Sequence, residues 1–281
     1  MTSFDVHQHF WPEPLIGALR ARREPPRLRG PVLELVEEGE FEVDLRDHEL
    51  GACLARLDRD EIDVALISCP PTLGLPPDLL EAYHGGMLDL VAESKGRLVA
   101  LASDAVLDGF AGTCVSAQTL LDLESVAPVA DELGRRGDML FVHPGPAHRA
   151  PGAPAWWPPV VAYPAQMQAA YFAWLSAGAD RWPDVPVVFA MLAGGGPFQL
   201  ERMASRGADP RLAVRPSIYL DTASYGSRAI EFCLAAVGAE QLVYGSDAPV
   251  IDSGSTLEAV RSLGLGVEDA LCRENPARLL A

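Results

Sequence analysis

Short apolar runs alternate with longer amphipathic stretches along the whole 281-residue chain. Runs at about 4–9, 62–68, 98–102, 113–117, 139–143, 186–191, 217–221 and 242–247 are rich in Val, Ile, Leu and aromatic residues, the pattern of strands buried on both faces. Helical spacing of apolar positions fills most of the gaps, at about 47–60, 78–94, 125–136, 164–180, 197–205, 226–237 and 256–263. Eight strands in regular βα alternation predict an α/β fold, a (β/α)8 TIM barrel spanning residues 1–281 as one domain. A doubly wound open sheet is the competing arrangement. No G-x-G-x-x-G opens the first helix, so nothing supports dinucleotide binding.

Two insertions break the rhythm. Residues 11–46 are rich in Pro and Arg, and alternation on both sides of Glu37-Glu38-Gly39-Glu40 predicts a β-hairpin after the first strand. Residues 144–163 hold six prolines with Trp156, Trp157 and Tyr163, and predict a long loop after the fifth strand. In a barrel both insertions follow the C-terminal ends of strands, where active sites lie.

Composition narrows the chemistry. Lys and Arg number 22 against 39 Asp and Glu, a net charge of −17, which argues against a nucleic-acid partner. Apolar runs fall well short of the ~20 residues that cross a bilayer, so no membrane partner is expected. Met1-Thr2-Ser3-Phe4-Asp5 has no cationic or apolar leader character. The five cysteines are scattered without a C-x-x-C, as reduced thiols are, so the expected compartment is the cytoplasm. Lys95 is the single lysine and sits in a polar helix end, which excludes both a P-loop and a Schiff-base lysine. The expected partner is a small-molecule substrate, and a homo-oligomer is compatible with the sequence.

Three strand ends carry candidate chemistry. In Phe4-Asp5-Val6-His7-Gln8-His9 the period of two places Asp5, His7 and His9 on one face, where two imidazoles can reach one ion. The alternative is a pair of ordinary hydrogen-bonded strand histidines. His143 ends the fifth strand and Asp247 the eighth; taken singly, each reads as structural. Barrel closure changes this, because it brings Asp247 beside His7 and His9, with His143 approaching from across the axis. Three histidines and a carboxylate form a site for one divalent ion, with zinc the expected metal.

The chain resembles the amidohydrolase-related family of (β/α)8 metal enzymes. The resemblance runs from Asp5-Val6-His7-Gln8-His9 through Val142-His143-Pro144, Gly194-Gly195-Gly196-Pro197-Phe198 and Leu220-Asp221-Thr222 to Tyr244-Gly245-Ser246-Asp247-Ala248-Pro249 and Glu274-Asn275-Pro276-Ala277-Arg278. It implies His7, His9, His143 and Asp247 as metal ligands, with support from Asp5 or Asp221. Family members hydrolyse amides, lactones and esters, or decarboxylate aromatic or unsaturated acids without oxidation. Relatives usually carry a histidine ending strand six, where this chain has Met191, and a thioether can neither take a proton nor carry charge. Strand four reads Thr113-Cys114-Val115-Ser116 and lacks the lysine of the binuclear branch, which leaves one metal ion.

The leading expectation is a mononuclear metal-dependent hydrolase acting on an amide, ester or lactone through an activated water, with Asp247 as its base. A non-oxidative decarboxylase is the alternative. A ligand-binding barrel that has lost catalysis, as Met191 suggests, is a third. Substrate contacts are expected from Trp11, His148, Arg149, Trp156, Trp157, Met191 and Asp221, with residues 144–163 covering the mouth and Trp156 or Trp157 facing the cavity. A basic run, Arg20 to Arg29, reads as a solvated face, as does His48 at a helix start.

Overall fold

Eight strand positions close into a ring in the computed structural model, which describes residues 1–150 and 152–281. In chain order the strands are β1 (Phe4–His9), β2 (Arg27–Arg29), β3 (Val32–Leu35), β4 (Gly39–Glu42), β5 (Val64–Ser68), β6 (Leu98–Ala100), β7 (Ala102–Ser103), β8 (Gly112–Ser116), β9 (Met139–His143), β10 (Val187–Phe189), β11 (Ile218–Asp221) and β12 (Leu242–Val243). β1, β5 and β6 pair in that order, and β7 to β12 pair in sequence, all parallel. β6 and β7 occupy one strand position broken at Leu101, whose N–H donates to Ile67 O at 2.8 Å. The last gap closes where Val6 N–H donates to Tyr244 O (2.9 Å), Asp247 N–H to His7 O (2.8 Å) and His9 N–H to Ala248 O (2.8 Å). The ring is therefore the α/β barrel that the alternation predicts, rather than an open sheet.

Burial explains the strands. All five residues of β9 are buried, including His143, because the strand lies between the barrel interior and the surrounding helices. The helix Leu123–Arg136 is typical of the outer layer. It buries Val126, Ala127, Ala130 and Leu133 on one stripe, starts where the Asp122 side chain accepts from Glu124 N, and ends at Gly137, whose φ of 77° suits glycine. All five cysteines are free and buried. Among the described residues, no helix is long and apolar enough to cross a membrane.

The insertions differ in detail from the sequence reading. Residues 11–46 hold a helix, Glu13–Ala21, and then a three-stranded antiparallel sheet in which β3 pairs with both β2 and β4. Residues 144–163 contain less loop than expected: a π-helical turn at Pro158–Ala162 leads straight into the helix Tyr163–Ala173. Pro151 of that segment lies outside the described residues. Two barrel strands are shorter than their apolar runs. The sixth stops at Phe189 because Met191, Leu192, Ala193, Gly194 and Gly195 all take positive φ, and the eighth stops before Asp247, whose φ is 64°.

Candidate metal centre

His7 and His9 project from β1, His143 ends β9, and Asp247 follows β12 across the closing seam. One ligand atom from each lies within 4.8 Å of those of the other three. The Nε2 atoms of His7 and His9 are 3.1 Å apart, and Asp247 Oδ1 stands 3.0 Å from His9 Nε2 and 3.6 Å from His7 Nε2.

What lies behind each ring decides what the front can do. His7 Nδ1 meets Asp221 Oδ2 at 2.8 Å, His9 Nδ1 meets Ser68 O at 3.0 Å, and His143 Nδ1 meets Pro144 O at 2.9 Å. A carbonyl or carboxylate can only accept, so each Nδ1 carries a proton, and each imidazole, when neutral, presents its Nε2 lone pair to the others. Three such lone pairs and a carboxylate oxygen converge in a buried space. Acceptors packed this closely could hold a cation between them, and His₃Asp is a donor set that divalent transition ions accept.

The titration shifts have the same origin. Burial alone would lower the His7 pKa, but the carboxylates of Asp221, Asp247 and Asp5 outweigh it and raise the pKa to about 9. Burial, with His9 and His7 nearby, pushes His143 well below the usual imidazole range. Burial works to raise Asp247, yet the three imidazoles hold its carboxyl below its ordinary value. In the metal-free protein a proton thus takes part of the cation's place.

Asp5 does not join the cluster. The β1–β5 register shifts between Asp5 and Gln8, and the Asp5 carboxylate turns to accept from His7 N (3.1 Å), Gln8 Nε2 (2.8 Å) and Ser246 N (3.0 Å). It braces the seam, and burial pushes its pKa up to about 6 against those hydrogen bonds. Asp221 is also fully buried. Besides holding His7, its Oδ1 accepts from Met191 N at 2.9 Å and Ala223 N at 2.9 Å. One carboxylate therefore fixes both a ligand imidazole and the start of the left-handed turn. That turn places three non-glycine residues at positive φ, a conformation costing on the order of 1–2 kcal/mol each. Gly194 within it packs so tightly that a Cβ would come 2.3 Å from Pro164 O.

Above the cluster opens a cavity of about 460 Å³. His9, His143 and Asp247 form part of its wall with Met191, Phe41, Tyr163, Ser224, Tyr225 and Val250. Of the expected substrate contacts, Met191 reaches this wall. Other expected contacts do not. Trp11 is buried and stacks on His48, 4.4 Å between centroids and 9° between planes, on the wall of an adjoining cavity rather than this one, so His48 is not the solvated residue expected. His148 is exposed and pairs with Glu37 at 2.8 Å, and Arg149 is exposed. Trp156 is exposed, and Trp157 packs beside it at 6.2 Å; neither lines the cavity. The long segment does cover the mouth, but through Ala155, Pro158, Pro159 and Val160, because the early helix turns the indoles outward. Asp221 sits behind His7 rather than on the wall.

Glu38 is the wall residue that sequence reasoning missed. It is 7% exposed and sits in the β3–β4 turn; its Oε1 accepts from Ala147 N at 3.2 Å and its Oε2 from the Tyr163 hydroxyl at 2.5 Å. Burial raises its carboxyl against those two bonds. No local signal separates it from Glu37 and Glu40, since its partners lie more than a hundred residues away.

The amidohydrolase family signature matches residues 4–281. The chain belongs to the amidohydrolase family. Among curated relatives, this amidohydrolase is 22% identical over 291 residues to 2-amino-3-carboxymuconate-6-semialdehyde decarboxylase of Dictyostelium discoideum, covering 88% of this chain and 81% of the relative. Its fold matches IDCase of Metarhizium anisopliae in apo form with a TM-score of 0.83 at 20% identity, over 99% of this chain and 97% of the other. It also matches 5-carboxyvanillate decarboxylase of Novosphingobium aromaticivorans, complexed with manganese and 4-hydroxy-3-methoxy-5-nitrobenzoic acid, with a TM-score of 0.74 at 14% identity over 100% and 96% of the two chains. The chain is thus an amidohydrolase-superfamily enzyme built on the family's barrel.

Proposed function

We propose that the protein is a metal-dependent, non-oxidative decarboxylase of a small aromatic or unsaturated carboxylic acid. The observation that carries this reading is a His₃Asp cluster at the floor of a largely apolar cavity. The decarboxylase names of the relatives support it. Hydrolysis, the leading expectation from sequence, has less support, because these relatives are named for the other reaction.

His7, His9, His143 and Asp247 would hold one divalent ion, zinc or manganese, whose positive charge binds and orients substrate oxygens. Asp221, Ser68 and Pro144 keep the three imidazoles turned toward it. Met191 and Tyr225 set apolar surface beside the centre. Such walls disfavour charge confined to a carboxylate relative to charge spread over a conjugated system. The C–C bond to the carboxylate breaks, its electron pair stays on the substrate carbon, and CO₂ leaves. Asp247 delivers a proton to that carbon and regains one from solvent. The imidazoles hold its carboxyl below the ordinary value, so the proton it delivers is taken up from solvent within the reaction cycle rather than stored in the resting site.

Manganese- and zinc-loaded protein, incubated with hydroxybenzoates in D₂O, should release CO₂ and place one deuterium on the carbon that carried the carboxylate. Asp247→Asn should cut CO₂ release by ~10²–10⁴-fold, with metal content measured alongside. The proposal fails if no acid yields CO₂ while an ester, lactone or amide is cleaved with uptake of ¹⁸O from water.

A further inference from the structure

The cavity has an unusual charge inventory for an enzyme that binds acids. Among the described residues, its wall contains no Lys or Arg; apart from His9, His143 and Asp247 at the metal centre, the one charged side chain is Glu38. A second cavity of about 430 Å³ adjoins it, sharing His9, Glu38, Phe41, Thr72, Tyr163 and Val250. There the remaining charged groups are Glu42, Asp44 and Asp47, again with no Lys or Arg. Glu38 stands where the two spaces meet, and a neutral amide N–H and a phenol hold its two oxygens. A substrate carboxylate can therefore find a counter-charge only at the metal centre. Any second carboxylate would face Glu38, with no cation on the wall to compensate.

We infer that Glu38 selects the substrate: it admits acids with one carboxylate and a hydroxyl or amino group at the far end, and it turns away dicarboxylates. This inference rests on the decarboxylase reading and narrows it. Glu38 accepts a hydrogen bond from the donor group of the substrate, while apolar walls hold the body between the two ends.

The test uses three probes of one shape: 4-(hydroxymethyl)benzoate, 4-(aminomethyl)benzoate and terephthalate. Their dissociation constants for manganese-loaded protein are measured calorimetrically at pH 8. Wild type should bind the first two at least tenfold more tightly than terephthalate. Glu38→Gln should shrink that ratio to within about threefold, and Glu38→Lys should invert it. Tyr163→Phe removes the clamp on Glu38 but keeps its charge, so all three constants should move together and the ratio should stand. The inference is overturned if wild type binds terephthalate as well as the others or binds no probe, whatever the variants do. It is also overturned if Glu38→Gln leaves the ratio unchanged, or if Tyr163→Phe erases it as fully as Glu38→Gln. CO₂ release from the same preparations separates the two readings. A charge-dependent ratio without CO₂ from any acid keeps the selection and sinks the decarboxylase. CO₂ release with an unaltered ratio does the reverse.

Discussion

Replacing Gly245 by alanine tests whether the site depends on how closely the seam packs. An added Cβ would lie 2.7 Å from His7 Cβ and 3.1 Å from both Cβ and Cγ of Asp221. Ordinary carbon contacts are roughly 3.5–4.0 Å, so the ligand strand or the strand behind it must move by about 1 Å. His7 and Asp221 are both fully buried, with no solvent side to retreat into. Overpacking of this kind typically costs ~1–3 kcal/mol, a loss of several degrees in Tm. The effect on metal should be larger in proportion. Ligand positions must hold to within ~0.2 Å, and disturbing the group that supports a ligating histidine typically costs ~10–100-fold in affinity. Titration against a chromophoric chelator at pH 7.5 gives the affinity, and thermal melting of metal-free protein gives the stability. A Gly245→Ala protein with wild-type metal affinity and an unchanged Tm would refute the reasoning, since it would mean the seam has slack that the distances deny.

Two further predictions concern the same centre. Asp221→Asn keeps the shape but lets the amide offer its nitrogen to His7, so metal affinity should fall by ~10–100-fold by the same chelator competition; an unchanged affinity would show that His7 needs no carboxylate behind it. The His7 pKa, raised to about 9, sets the pH dependence: below that pH the metal must displace a proton, so apparent affinity should rise with pH, up to about tenfold per unit, and level off near pH 9. The sign for folding is opposite. The raised pKa stabilises the metal-free fold fully below about 6.5, and that contribution is lost as pH climbs through about 9; between pH 7 and 9, calorimetry in buffers of different ionisation enthalpy should detect proton release on metal binding, and its absence would rule the shift out.

The barrel was legible because strands buried on both faces must be apolar throughout, and loops between them need not be. The ligands were legible for a related reason: a polar residue ending an apolar strand stands out, and closure dictates which strand ends meet. Direction was harder to read. Trp156 and Trp157 announce an aromatic surface, but the backbone that turns them outward begins with prolines that read equally well as loop. The helix Glu13–Ala21 escaped notice behind Pro12, Pro14 and its arginines, although Leu15, Ile16 and Leu19 are spaced as one buried helical face. The left-handed run from Met191 was not visible, because Met191, Leu192 and Ala193 do not favour that conformation on their own. Asp221 and the packing around it impose it from a distance.

The seam that closes the barrel also orders events in time. His7 and His9 leave the ribosome well before Asp247, which is joined to His7 across that seam. At roughly 5–20 residues per second, about 12–48 s of synthesis separate them. During that interval the two early imidazoles lack both His143, which comes midway, and the carboxylate that completes the set. A growing chain can therefore offer a passing ion only an incomplete and solvent-open pair. The complete His₃Asp set arises in the same step that makes the barrel whole, so any metal it takes up should report on finished molecules and leave nascent ones unmarked.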